Sequence, residues 1–69
     1  MINEETLNLS LRKFLKRVGI SAQRHMESNV RAANEGETLP ENGRVAVRMT
    51  LDMDGVTAPL VVEDEIEVR

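Results

Sequence analysis

"VAVRMTLDMDGVTAPLVVEDEIEV", residues 45–68, decides the fold. In its first half Val45, Val47, Met49, Leu51 and Met53 alternate with Ala46, Arg48, Thr50 and Asp52, the two-residue period of a half-buried strand. Asp54-Gly55 then predicts a two-residue hairpin turn of type I′, which needs positive φ at both central positions. Such a turn sets Met53 opposite Val56, Leu51 opposite Ala58, Met49 opposite Leu60 and Val47 opposite Val62. Leu60, Val62, Ile66 and Val68 then share the apolar face, and Glu63, Glu65 and Glu67 form a solvated ladder on the other. Asp64 shares the apolar face near its end, as a rim residue or as a buried acceptor for an arginine; the rim is the favoured place. A slip of one residue would put Glu63 against Val47, so the face pattern supports this register.

Two consequences follow for the edges. Pro59 falls at a non-hydrogen-bonded pair, where its missing N–H points away from the first strand and blocks part of the outer edge. Arg44 pairs with Glu65, so Ile66, Glu67, Val68 and Arg69 run past the start of the first strand. Their backbone must pair with the loop around 39–43, with another chain, or with water. These four residues are therefore a candidate protein-interaction edge.

Upstream, "NEGETLPENG", 34–43, is loop by composition, with Leu39 as its one large apolar residue. Before it lie two helical patterns. Leu7, Leu11, Phe14, Leu15 and Val18 make one apolar stripe, with Asn3 as N-cap and Glu4 and Glu5 in the first turn. In "KRVGISAQRH", 16–25, Lys16 and Arg17 suit a last helical turn, Gly19 a left-handed C-terminal residue, and Ile20 a fold-back onto that turn. Ser21 then caps a second, lighter stripe of Ala22, Met26, Val30 and Ala33. The expected fold is α+β in a single domain, 1–69. Helices span about 4–18 and 22–34, a loop 35–43, and strands about 44–53 and 56–68. The two helices pack on one face of a C-terminal antiparallel hairpin, and dimerisation extends the sheet where a lone hairpin is marginal.

Composition narrows the function. A chain of 69 residues sits near the lower size limit for a self-stabilising core, and Phe14 is its only aromatic side chain. With no cysteine, disulfides, thiolate nucleophiles and zinc-thiolate sites are excluded. No apolar run has the length of a signal peptide or a membrane span, so a cytoplasmic protein is expected. Charge is split. Residues 1–34 carry six cations against three acids, and residues 35–69 carry three against nine. Complementarity within or between chains explains this more simply than a polyanion-binding front.

No constellation points to catalysis. His25 is the only histidine and has Ser21 and Asn29 one turn away, which are weak partners. "DMDG", 52–55, suggests a calcium loop, but aligning Gly55 with the loop glycine puts Val61 where a bidentate Glu is required. Cofactor, metal and membrane are therefore not expected. Arg12, Lys13, Lys16, Arg17 and Arg24 form a candidate nucleic-acid surface around a helix-turn-helix-like corner. It is disfavoured, because the second helix lacks apolar residues at His25 and Ser28 and carries few groove-reading side chains.

The stretch "NEETLNLSLRKFLKRVGISAQRHME", 3–27, with its NEE start, RKFLK-VG helix end and following S-Q, resembles a family of short bacterial proteins catalogued as a domain of unknown function. The resemblance implies a free-standing bacterial cytosolic protein and brings no activity, substrate or cofactor. The expected function is a non-enzymatic protein–protein interaction module, as a homodimer or with an unidentified protein partner. The alternative is a nucleic-acid-associated protein.

Overall fold

The computed structural model describes residues 1–69. The chain divides into two compact units, residues 1–36 and 37–69, each described by itself. The first holds one helix, α1 (Glu4–Glu35), and the second an antiparallel hairpin of β1 (Arg44–Met53) and β2 (Val56–Glu67). The α+β class holds. The expected pair of helices does not.

α1 starts as its sequence dictates. Asn3 is extended, with φ -96 and ψ 111, and its Oδ1 accepts from Thr6 N at 3.1 Å, satisfying one of the orphan amides of the first turn. Glu4 and Glu5 lie against the positive end of the helix dipole. The expected break at Gly19 is absent: residues 4–35 are continuous helix, and positive φ among glycines occurs at Gly43 and Gly55 alone. The physical reason is phase. Val18 and Ala22 are i and i+4, so the two stripes line up as one, and a turn between them would have thrown them onto different faces. A helical glycine costs only about 1 kcal/mol, too little to stop a helix whose stripe continues beyond it. Lys16 and Arg17 are accordingly mid-helix, and Ser21 is a helical residue rather than a cap.

Replacing Gly19 with Ala follows directly as a test. An added Cβ there meets nothing within 4 Å. Gly19→Ala is expected to stabilise by about 1 kcal/mol and raise the thermal midpoint by roughly 4–8 °C. Circular dichroism melting checks it, and a lowered midpoint would mean that the chain does turn at Gly19.

α1 ends at Glu35, where the Gly36 amide donates to the Ala32 carbonyl at 3.0 Å. Glu37, the first residue after the helix unit, is left-handed, with φ 57. Along the helix surface Gln23 Nε2 donates to Glu27 Oε1 at 2.9 Å, and Arg31 sits 3.6 Å from the other Glu27 oxygen. These steps of four residues support an exposed helix by a few tenths of a kcal/mol, roughly, and no more.

The hairpin closes where expected and then departs from the expected register. Met53 faces Val56, but Leu51 faces Leu60 rather than Ala58, Met49 faces Val62, Val47 faces Asp64 and Arg44 faces Glu67. Between the first two pairs Asp52 of β1 is opposed by Thr57, Ala58 and Pro59 of β2, a bulge. Its cause lies in the turn. Gly55 has φ 78 while Asp54 is not left-handed, so the turn is not type I′ and lacks the twist that keeps two strands in register. Pro59, unable to donate to a ladder, belongs in such a bulge.

The shift of two residues leaves every side chain on its expected face and exchanges the cross-strand neighbours, with Asp64 moving from Val45 to Val47. Arg48 now faces Glu63, Arg44 faces Glu67, and Val45 faces Ile66 instead of Asp64. It also removes most of the overhang. Ile66 and Glu67 are paired with β1, Val68 N donates to Gly43 O at 2.8 Å, and Arg69 Nη1 donates to Glu41 O at 3.2 Å. The 39–43 loop, one of the three partners open to those residues, is the one that takes them. Gly43 N in turn donates to Pro40 O at 3.0 Å, which closes the loop against the foot of the hairpin.

Candidate interaction surfaces

No hydrophobic side chain of either unit is buried. On α1 the stripe runs Leu7, Leu11, Phe14, Leu15, Val18, Ala22, Met26, Val30 and Ala33, and Phe14 and Leu15 are 54% and 55% exposed. Its C-terminal members, from Val18 onward, are half-buried among their own helical neighbours. Leu9 and Ile20 lie off the stripe, on the opposite side, and are exposed as well. The front half of α1 is thus apolar on two sides, a pattern found in helices that other elements surround. A shallow hollow along the helix is lined by Phe14, Arg17, Val18, Ser21, Ala22 and His25, where small residues sit between two rings. It is an open seat for a side chain, not an enclosed substrate cavity.

The hairpin repeats the situation. Met49, Leu51, Leu60 and Val62 occupy one face of the sheet and are exposed, Leu60 to 56%. Asp64 sits on this same face, as the sequence places it, and is exposed; its Oδ1 accepts from the amide of Glu65 at 2.8 Å. The other face carries Arg44, Arg48, Glu63, Glu65 and Glu67.

The residues singled out as a nucleic-acid surface are all on α1, but not around a corner. Arg12, Lys13, Lys16, Arg17 and Arg24 are exposed along a continuous rod. Lys13, Arg24 and Arg31 run along the side away from the apolar stripe, and Arg17 borders the stripe beside Phe14. The helix-turn-helix geometry that would set a second helix into a groove is absent. His25 is exposed, and its backbone carbonyl accepts from Asn29 Nδ2 at 3.0 Å. No three His, Asp or Glu side chains converge as metal ligands would. No helix is long and apolar enough to cross a membrane.

Ile66, Glu67, Val68 and Arg69 are engaged with β1 and the 39–43 loop on their inner side, so they do not form the free end that the expected register left. What sequence reasoning passed over is the outer side of β1. The signal was present: ten residues, Arg44–Met53, with no Pro and no Gly.

A family profile matches residues 2–69, both units together. The chain belongs to a family of unknown function, DUF6494. Membership carries no assigned activity, and it extends over the hairpin as well as over the stretch 3–27. No curated protein matches the chain, and no solved structure does.

Proposed function

We propose that this chain is a non-enzymatic protein–protein interaction module that works as a homodimer. One observation carries the proposal: neither unit by itself buries an apolar side chain. An isolated helix gains little in water without a covered face, and a lone two-stranded sheet is marginal there. Each large apolar side chain left in solvent forgoes about 1.5–3 kcal/mol of burial. A second copy supplies the missing cover at no cost in new sequence. Charge favours the same partner. Residues 1–36 carry six cations against four acids and residues 37–69 three against eight, so the basic helix of one copy attracts the acidic hairpin of another.

The hollow on α1 is open and shallow, and although Ser21 and His25 both line it, no hydrogen bond joins them. A second shallow hollow, on the hairpin at residues 46–48 and 63–65, holds no hydroxyl or imidazole, and this supports a binding role over catalysis. Sedimentation equilibrium of the full chain at micromolar concentration tests the reading. The expected mass is twice 7.8 kDa. A monomer that persists across the concentration range removes it.

A further inference from the structure

We infer that the second copy docks on the outer edge of β1. Its own β1 runs antiparallel to the first, giving a four-stranded sheet with the two β1 strands in the middle and Arg48 beside Asp52 of the partner subunit. The inference rests on the homodimer reading and says where that dimer forms.

The backbone separates the two edges of the hairpin. Gly43 O faces β2, since it accepts from Val68 N at 2.8 Å. Backbone groups alternate along a strand, so Val45, Val47, Met49 and Leu51 also bond inward, while Arg44, Ala46, Arg48, Thr50 and Asp52 point their N–H and C=O outward. The Arg44 amide is taken by Asn42 Oδ1 at 2.9 Å, as an outward amide at the strand's start can be. Ala46, Arg48, Thr50 and Asp52 remain as a straight row with no Pro or Gly among them.

The outer edge of β2 is unfit for pairing. Pro59 has no N–H and lies in the bulge, and the outward Glu65 amide is spent on Asp64 Oδ1 at 2.8 Å. Pro, bulges and satisfied donors are the means by which sheet edges are closed to further strands. β1 carries none of them between Ala46 and Asp52.

Side chains select the occupant. Two β2 strands pairing about Glu65 would set Glu63, Glu65 and Glu67 against the same three residues, and like charges directly opposite are repulsive. β1 is self-complementary. Any register centred on a residue keeps one apolar face continuous, and those nearest the middle of the free row 46–52 centre on Arg48, Met49 or Thr50. Centring on Arg48 puts two guanidinium groups together. Centring on Thr50 puts Arg48 opposite Asp52 of the partner subunit twice over, and centring on Met49 makes them diagonal neighbours. Both of the latter join Val47, Met49 and Leu51 of the two copies into one apolar surface.

Thr50→Pro and Glu63→Pro form the matched test. Each removes an outward amide from a strand position that tolerates proline, one on each edge. In sedimentation, Thr50→Pro is expected to raise the dimer dissociation constant at least tenfold, and Glu63→Pro to leave it within about twofold. Amide exchange on the wild-type dimer supplies a reading free of any folding defect. The Arg48, Thr50 and Asp52 amides should exchange at least tenfold more slowly than those of Val61 and Glu63, and lose that protection on dilution. A wild-type chain that never dimerises ends both proposals. A wild-type dimer with a fast-exchanging Thr50 amide, or equal weakening by the two variants, overturns the β1 edge and leaves the homodimer standing.

Discussion

Val18→Asp is expected to abolish self-association at micromolar concentration. Val18 lies midway along the stripe, with Phe14 one turn before it and Ala22 one turn after, and it lines the hollow between Phe14 and His25. A carboxylate there must be desolvated when a second copy covers the stripe, with apolar Phe14, Leu15 and Ala22 one turn away and the Ser21 hydroxyl as the nearest compensating group on the stripe side. The penalty is about 3 kcal/mol or more, which corresponds to roughly a hundredfold in the dissociation constant. Ser28→Asp adds the same charge on the same helix away from the stripe, at an exposed position. It should leave association within about twofold, as surface changes do. Concentration-dependent sedimentation of both variants reads the difference, and equal behaviour would deny the stripe any part in the interface.

The second large effect is at Gly43, and its sign is opposite to that at Gly19 for the same chemical change. Gly43 has φ 73, a left-handed conformation that an L side chain rarely adopts. An added Cβ would also come within 3.1 Å of Arg69 Cβ, tighter than an ordinary contact. Gly43 is the one buried residue of the chain, and its amide and carbonyl hold Pro40 and Val68. Gly43→Ala is expected to destabilise the hairpin by about 2 kcal/mol, combining left-handed strain with the crowding at Arg69. Amide exchange at Val68 should quicken roughly thirtyfold, since each 1.4 kcal/mol is a factor of about ten. An unchanged Val68 rate would mean that the loop and the C-terminus are not held together through this glycine.

Much of the fold was legible from residue types. The Asn3 cap, the acidic first turn, the loop at 36–43, both strands and the place of the chain reversal at Asp54-Gly55 all follow from local chemistry. Two inferences failed, each for a definite reason. Gly19 carries every mark of a helix end, but those marks are local, and a helical glycine costs about as much as any one of them gains. The deciding signal was the phase between Val18 and Ala22, which only a continuous helix preserves. In the hairpin, the test against Glu63 detects slips by an odd number of residues, because these exchange the faces. A slip of two keeps every side chain on its face and is invisible to it.

The candidate surfaces divide in the same way. The cations of α1 and the apolar alternation of the hairpin are plain in the sequence, but the corner that would have made the cations a groove reader is not formed. The outer edge of β1 depends on which amides point outward and on what Asn42, Asp64 and Pro59 do to their neighbours, and spacing does not contain that.

Sequence alone determined the element types, the faces of the strands and the absence of thiol chemistry, because side-chain period and composition are properties of residues taken a few at a time. Only the tertiary structure decided that β2 bulges at Thr57–Pro59 and that the chain's end is clasped by Gly43. Those outcomes weigh small local costs, a bulge or a left-handed residue, against pairings between residues far apart in the chain, and that balance exists only once both sides are brought together.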